Sequence, residues 1–272
     1  MDIKIIFIDI DGTLFNDNHS LTPFNKEVCI KAQQQGIYVV INTGRITTNA
    51  IKIAKEIQAD KFNGYVVSNN GVHIYSFKEN KMIFSNDIPN FLAKKVYNWI
   101  NSKKYKCQLY TYDGSFVNCV GENASYWADV MEAKYVVLNN ESEIVEDIAR
   151  IIVVVKDINS DEAAKKFMDN FHKKFPTLHI KKYHWKVYEI TMSNMSKGFA
   201  VDYLCKLLKI NSNNAMAFGD SYNDTLLMES VGHPVAMENA VQSIKDRSNY
   251  ICGHNNENGV GNMIINHILQ NK

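Results

Sequence analysis

Apolar residues along this chain fall into two rhythms, and the change between them divides it. Over residues 1–84 they come in short unbroken runs, Ile5-Ile6-Phe7-Ile8, Ile37-Tyr38-Val39-Val40-Ile41 and Tyr65-Val66-Val67, separated by helical spacing over residues 25–35 and 47–57. Runs without polar alternation predict strands buried on both faces of a parallel sheet. Gly36 is placed to close the first helix, and residues 72–75 and 81–84 read as a hairpin. From about residue 85 the strands alternate instead: 106–112 and 115–120 flank Asp113-Gly114, a hairpin turn signal, and 150–155, 178–182 and 186–191 follow. Helices are predicted over 89–102 and 161–175. Alternation implies a sheet with one wet face, so this block reads as a compact α+β unit with two main helices, inserted into an α/β chain. The first rhythm then returns, with a helix from Ser196 to about Leu208, buried strands at 215–218, 234–237 and 250–252, and a final helix from Gly261. The predicted fold is α/β: a Rossmann-like parallel sheet with helices on both faces (residues 1–84 and 189–272), plus an inserted α+β domain (85–188).

Composition narrows the partners. Apolar content of 46% with 22% charged residues describes an ordinary soluble globular protein. A net charge of +1 leaves no electrostatic footprint for nucleic acid or an anionic membrane. The longest strongly apolar run, 151–155, is far too short to span a bilayer, and Met1-Asp2 lead straight into the first strand, which predicts no signal sequence. Cys29, Cys107, Cys119, Cys205 and Cys252 show no Cys-x-x-Cys spacing, which argues against a disulfide framework or a zinc knuckle and for reduced thiols in a cytoplasmic protein.

Polar clusters stand where the buried strands end. Residues two apart in extended backbone point the same way, so Asp9 and Asp11 are expected to enter one cavity about 7 Å apart. Like charges that close need compensation, and a hard divalent cation with oxygen ligands suits them. A polar turn is the plainer alternative for Asp9-Ile10-Asp11-Gly12. An EF-hand loop counted from Asp9 fails, because Leu14 and Ser20 occupy the positions that need glycine and an acid. The second strand ends in Thr43-Gly44-Arg45, either a phosphate-cradling turn or a helix N-cap with a solvated arginine. The third ends in Ser68-Asn69-Asn70-Gly71. Lys197 opens a helix against its macrodipole, a poor place for a solvated lysine and a good one beside a bound anion. A later strand ends in Gly219-Asp220-Ser221-Tyr222-Asn223-Asp224. In an open parallel sheet such ends share one edge, where ligands bind. Together they suit a phosphate held by backbone N–H groups and Lys197, with Mg²⁺ held by carboxylates.

The series Asp9-Ile10-Asp11-Gly12-Thr13-Leu14, Thr43-Gly44-Arg45, Ser196-Lys197-Gly198 and Gly219-Asp220-Ser221-Tyr222-Asn223-Asp224 resembles the haloacid dehalogenase superfamily, in its Cof-type phosphatase branch. Segments 235–240 and 258–260 add secondary matches, and Glu238 stands where the family commonly has glycine. The resemblance implies an Mg²⁺-dependent phosphatase in which Asp9 is the nucleophile, forming an aspartyl-phosphate, and Asp11 the general acid and base. It further implies Asp9, the Asp11 main-chain carbonyl and Asp220 as metal ligands with Asp224 behind them. Ile10, Thr43, Gly44, Lys197 and Asn223 would hold the phosphoryl group, and the insertion would be a cap. Its substrates would be small phosphorylated metabolites, sugar phosphates or phosphorylated cofactors. A sugar phosphomutase and a catalytically silent sugar-phosphate sensor are the alternatives; dinucleotide binding is disfavoured because no Gly-x-Gly-x-x-Gly follows a strand. Tyr110, Tyr112, Trp127, Tyr183, His184 and Trp185 could stack on a substrate or serve as core.

Overall fold

The computed structural model describes residues 2–184 and 186–269. Its strands, in chain order, are β1 (Ile5–Ile8), β2 (Tyr38–Asn42), β3 (Tyr65–Ser68), β4 (His73–Ser76), β5 (Lys81–Ser85), β6 (Lys106–Tyr110), β7 (Gly114–Val117), β8 (Lys134–Val137), β9 (Arg150–Val154), β10 (His179–His184), β11 (Val187–Thr191), β12 (Ala215–Gly219), β13 (His233–Ala236) and β14 (Tyr250–Ile251). The α-helices are α1 (Pro23–Gln34), α2 (Thr47–Glu56), α3 (Asn90–Ser102), α4 (Glu122–Val130), α5 (Asp161–Lys174), α6 (Lys197–Leu208), α7 (Thr225–Glu229), α8 (Gln242–Lys245) and α9 (Gly259–Ile264). The chain divides into two compact units, Met1–Arg45, Ala50–Phe84 and Ser196–Lys272 in the first, Ile46–Asn49 and Ser85–Met195 in the second.

The first unit is built on an eight-stranded sheet in the order β14-β13-β12-β1-β2-β3-β4-β5. β1 lies between β12 and β2, parallel to both, with Ile5 opposite Ala215 and Tyr38. All four of its side chains are buried, as its unbroken apolar run requires when both faces of the sheet are covered. β3 is parallel to β2 and β13 to β12, so the carboxyl ends of β1, β2, β3 and β12 lie along one edge; only with β4 does the direction reverse. Gly36 follows α1 at φ +80°, the left-handed conformation that ends a helix without steric cost.

The second unit holds a six-stranded sheet, β10-β11-β9-β6-β7-β8, antiparallel except between β7 and β8. Leu109, Ile151, Val153, Tyr188 and Ile190 join Val96, Ile100, Phe167 and Phe171 of α3 and α5 in one core. Several of the alternate residues are polar and linked. Arg150 lies 3.2 Å from Glu189, which also accepts the Tyr183 hydroxyl at 2.7 Å, and the Tyr110 hydroxyl donates to Gln108 at 3.0 Å.

Three expectations change. Helix α4 and strand β8 add a third helix and a sixth strand to the insertion. Neither announces itself, since Val136 and Val137 of β8 are both exposed and leave no alternation to read. The second unit runs to Met195, past the expected return at residue 189, because β11 is hydrogen-bonded to β9 and β10 through Ile190 and Thr191. The final helix starts at Gly259, behind Asn258 at φ +59°. Trp185 and the His184 side chain lie outside what is described.

Candidate active site at the strand-end edge

The site is built entirely within the first unit. After β1 the backbone stays extended through Asp9 (φ −69°, ψ 162°), then turns sharply at Gly12, whose φ is +73°. A Cβ at Gly12 would stand 2.6 Å from Asp220 Oδ2, so glycine is demanded twice, by the dihedral and by the carboxylate packed against it. The turn is closed by Leu14 N–H donating to Asp9 O at 3.2 Å. The two carboxylates take different cationic partners. Asp9 lies 2.7 Å from Lys197 Nζ, whereas Asp11 is gripped by Arg45, Nε to Oδ2 at 2.8 Å and Nη2 to Oδ1 at 2.6 Å, with His19 Nδ1 3.1 Å from Oδ1.

Lys197 is wholly buried at the first turn of α6, behind Ser196, whose hydroxyl caps the helix by accepting from Phe199 N–H. Its ammonium bridges Asp9 and Asp224, the latter at 2.6 Å. Asp224 is saturated: one oxygen faces Lys197 and the other accepts the N–H groups of Asp220 (3.0 Å) and Ser221 (3.1 Å). Asp220 accepts the Thr13 hydroxyl at 3.0 Å. Carboxylate oxygens of Asp9, Asp220 and Asp224 lie within 4.8 Å of one another.

The electrostatics follow from burial. Burial pushes the Asp9 carboxyl well above its ordinary value, against the pull of Lys197. Burial and the charge of Asp224 push Asp220 up to about 7. Burial works on Asp11 in the same direction, but the Arg45 and His19 contacts outweigh it and hold that carboxyl below its ordinary value. For Lys197, burial opposes the charge and is overcome by Asp224 and Asp9, so its value is raised. Three carboxyl groups thus face one ammonium at a buried edge, so their full ionisation calls for a further positive charge. The donors are all oxygen, which suits a hard divalent cation and not a thiophilic one.

Thr43 and Gly44 end β2 beside this cluster. The Thr43 hydroxyl accepts Arg45 N–H at 3.1 Å, and a Cβ on Gly44 would sit 3.0 Å from Asn70 Oδ1. Asn223 Nδ2 donates to that same oxygen at 3.3 Å, so the ends of β2, β3 and β12 are tied through Asn70. Ile10 is buried directly after Asp9. Glu238 is exposed and outside the left-handed residues, so the turn at the position that departs from the family pattern tolerates a side chain.

Sequence reasoning missed Arg45, expected in solvent as one reading of its turn; it is buried against the Phe15 ring and paired with Asp11. It also missed His19, and it gave no partner to Thr13, Asn70 or Asn239, which stood in its strand-end and family-matched segments. An aspartate just before a glycine turn carries no sequence mark of its partner, whereas Asn239 lies in a segment already matched to the family. In the second unit, Tyr110 and Tyr183 are occupied in the polar network, Trp127 packs beside Tyr110 and Met131, and Tyr112 is exposed. All five cysteines are free. Among the described residues, no helix is long and apolar enough to cross a membrane.

Comparison with known proteins agrees with this geometry. A putative phosphatase of Streptococcus pyogenes is 26% identical over 290 residues, 99% of this chain and 100% of that protein. The 5-amino-6-(5-phospho-D-ribitylamino)uracil phosphatase YcsE of Bacillus subtilis is 26% identical over 275 residues, 99% of this chain and 97% of that one. A haloacid dehalogenase-like hydrolase from Bacteroides thetaiotaomicron shares the fold, with a TM-score of 0.83 at 23% identity over 97% of this chain and 99% of its own. Residues 6–264, from within β1 to the end of α9, match the family described as haloacid dehalogenase-like hydrolase, and the chain belongs to that family.

Proposed function

We propose that the protein is an Mg²⁺-dependent phosphomonoester hydrolase working through an aspartyl-phosphate on Asp9. The observation that carries this is the charge imbalance at the sheet edge: Asp9, Asp220 and Asp224 against Lys197 alone, all buried or nearly so. The Asp9 carboxylate, the Asp11 main-chain carbonyl and Asp220 would hold the cation. Asp224, with its oxygens already taken, orients Lys197 and the Asp220 loop. When bound, Mg²⁺ neutralises phosphoryl charge that would otherwise repel a carboxylate nucleophile.

An Asp9 oxygen attacks phosphorus, the ester P–O bond breaks, and the leaving alkoxide takes a proton from Asp11. Water, losing its proton to Asp11, then attacks the phosphoryl group; the P–O bond to Asp9 breaks and inorganic phosphate leaves. Lys197, Thr43, Asn223 and the backbone N–H groups of Ile10 and Gly44 would hold the phosphoryl oxygens. Arg45 and His19 favour the ionised form of Asp11, which suits the second half-reaction; to donate in the first, Asp11 must part from Arg45. The insertion would select among small phosphorylated metabolites, the class to which the substrate in YcsE's name belongs.

Phosphate release from an aryl phosphate, measured with Mg²⁺ and again in EDTA, tests the reading. Activity is expected with Mg²⁺, none in EDTA, and no replacement by Ca²⁺, which takes more and longer bonds. Intact-mass spectrometry after acid quench should find a phosphoryl adduct at Asp9 in Asp11→Asn and none in Asp9→Asn. Equal residual turnover in both variants would reject these roles. A wild type with neither turnover nor adduct across a broad phosphate panel would favour a silent sensor.

A further inference from the structure

We infer that Asn239 is a positioning residue that fixes the Asp11–Gly12 backbone against the Asp220 loop and thereby sets the geometry of the cation site; this rests on the Mg²⁺-dependent reading above. After β13 the chain turns over residues 237–240, closed by Ala240 N–H donating to Met237 O at 3.0 Å. This turn is bonded to the end of β12 by its backbone: Met237 N–H donates to Gly219 O at 3.1 Å and Val241 N–H to Asp220 O at 2.9 Å. It is bonded to the nucleophile turn by a side chain. Asn239 Nδ2 donates to Gly12 O at 2.7 Å.

The orientation of that amide is fixed by its partners, because its Oδ1 accepts Asn255 N–H at 3.2 Å. Asn255, itself buried, donates to Phe15 O at 3.1 Å and to Asp17 Oδ1 at 2.9 Å, so the far side of the same loop is anchored too. Gly12 has little room towards Asp220, since even a β-carbon there would stand 2.6 Å from that carboxylate. Asn239 prevents the opposite drift. Packing on one side and one amide on the other therefore hold together two backbone segments that carry separate ligands of the proposed cation. Mg²⁺ demands near-octahedral geometry at short distances, so a small relaxation of one segment costs affinity directly.

Asn239→Asp tests this almost isosterically: it keeps an oxygen for Asn255 N–H and sets another, in place of the donor, against the Gly12 carbonyl. Titration calorimetry with Mg²⁺ alone should show the dissociation constant raised about tenfold or more. With an aryl phosphate, kcat should fall comparably while KM moves less than about twofold. Asn239→Ala, which removes the donor without adding the opposing oxygen, should change both in the same direction and serves if the aspartate variant does not fold. Glu238→Ala, on the exposed side of the turn, should match the wild type. Unchanged Mg²⁺ affinity in a folded Asn239 variant overturns the inference, as does a lowered melting temperature with wild-type affinity and kcat, which would make the amide merely structural. A wild type that binds no Mg²⁺ and releases no phosphate sinks the proposed function and this inference together; a wild type that does both, matched by its Asn239 variants, sinks this inference alone.

Discussion

Removing divalent cations while raising the pH should destabilise this protein, and adding Mg²⁺ should reverse the effect. Asp220 is pushed from 3.8 to about 7 by burial and the charge of Asp224, and Asp9 is raised as well. A carboxyl raised in the fold binds its proton more readily there than in the unfolded chain. Its contribution to stability is fully present below the unfolded value and is lost as pH rises through the folded one. For Asp220 the window runs from about pH 4 to about pH 7, and at roughly 1.4 kcal/mol per pKa unit the shift is worth on the order of 4 kcal/mol. Asp11 has the opposite sign: held low by Arg45, it loses its contribution only as pH falls below the ordinary carboxylate range. Melting in EDTA between about pH 5 and pH 8 therefore isolates the raised carboxylates. The apo protein should melt several degrees lower at the upper end, and Mg²⁺ should raise the melting temperature far more there, where it does not compete with protons. A flat apo profile, one that rises with pH, or an equal Mg²⁺ shift at both ends would refute the account of the site as an excess of buried negative charge.

Lys197→Met leaves Asp9 and Asp224 without their ammonium and should cost about 3–5 kcal/mol in denaturant unfolding at neutral pH, with phosphate release abolished. Gly12→Ala forces a side chain into a φ of +73° and against Asp220, so calorimetry should show weakened Mg²⁺ binding together with a stability loss of about 1–3 kcal/mol. Trp127→Ala, in the inserted unit, should alter relative kcat/KM among phosphorylated metabolites more than it alters turnover of a small aryl phosphate; uniform loss across a substrate panel would count against the insertion as a selector.

What could be read from the sequence was governed by range. The Ile5–Ile8 run requires burial on two faces, and that local demand placed β1 at the centre of a parallel sheet. Polar clusters ending successive buried runs marked the shared edge, because parallel topology puts those ends together whatever the intervening chain does. Helix α4 and strand β8 stayed hidden: β8 is short and largely exposed, so no periodicity recorded which face it buries. The partner of Asp11 was hidden for another reason. Asp11 is itself extended (φ −75°, ψ 125°) and the turn follows at Gly12, but nothing local says which cation Asp11 will meet.

That partnership divides the acid residues. Asp9 and Asp11 each have a cation of their own. Lys197 stays with Asp9 and Asp224 inside the cluster, and Arg45 holds Asp11 beside it. The pairings separate a buried carboxyl held above its ordinary value from one whose ionised form is favoured by a guanidinium. Neither pairing could be inferred from composition, because a lysine and an arginine at helix or turn starts are solvated in most chains. Lys197 was suspected because it sits against a helix dipole, a cost visible in the sequence. Arg45 carried no such mark. Its significance arises only when Asp11, just past β1, meets the end of the neighbouring strand, a contact across 33 intervening residues that depends on β1 and β2 being adjacent.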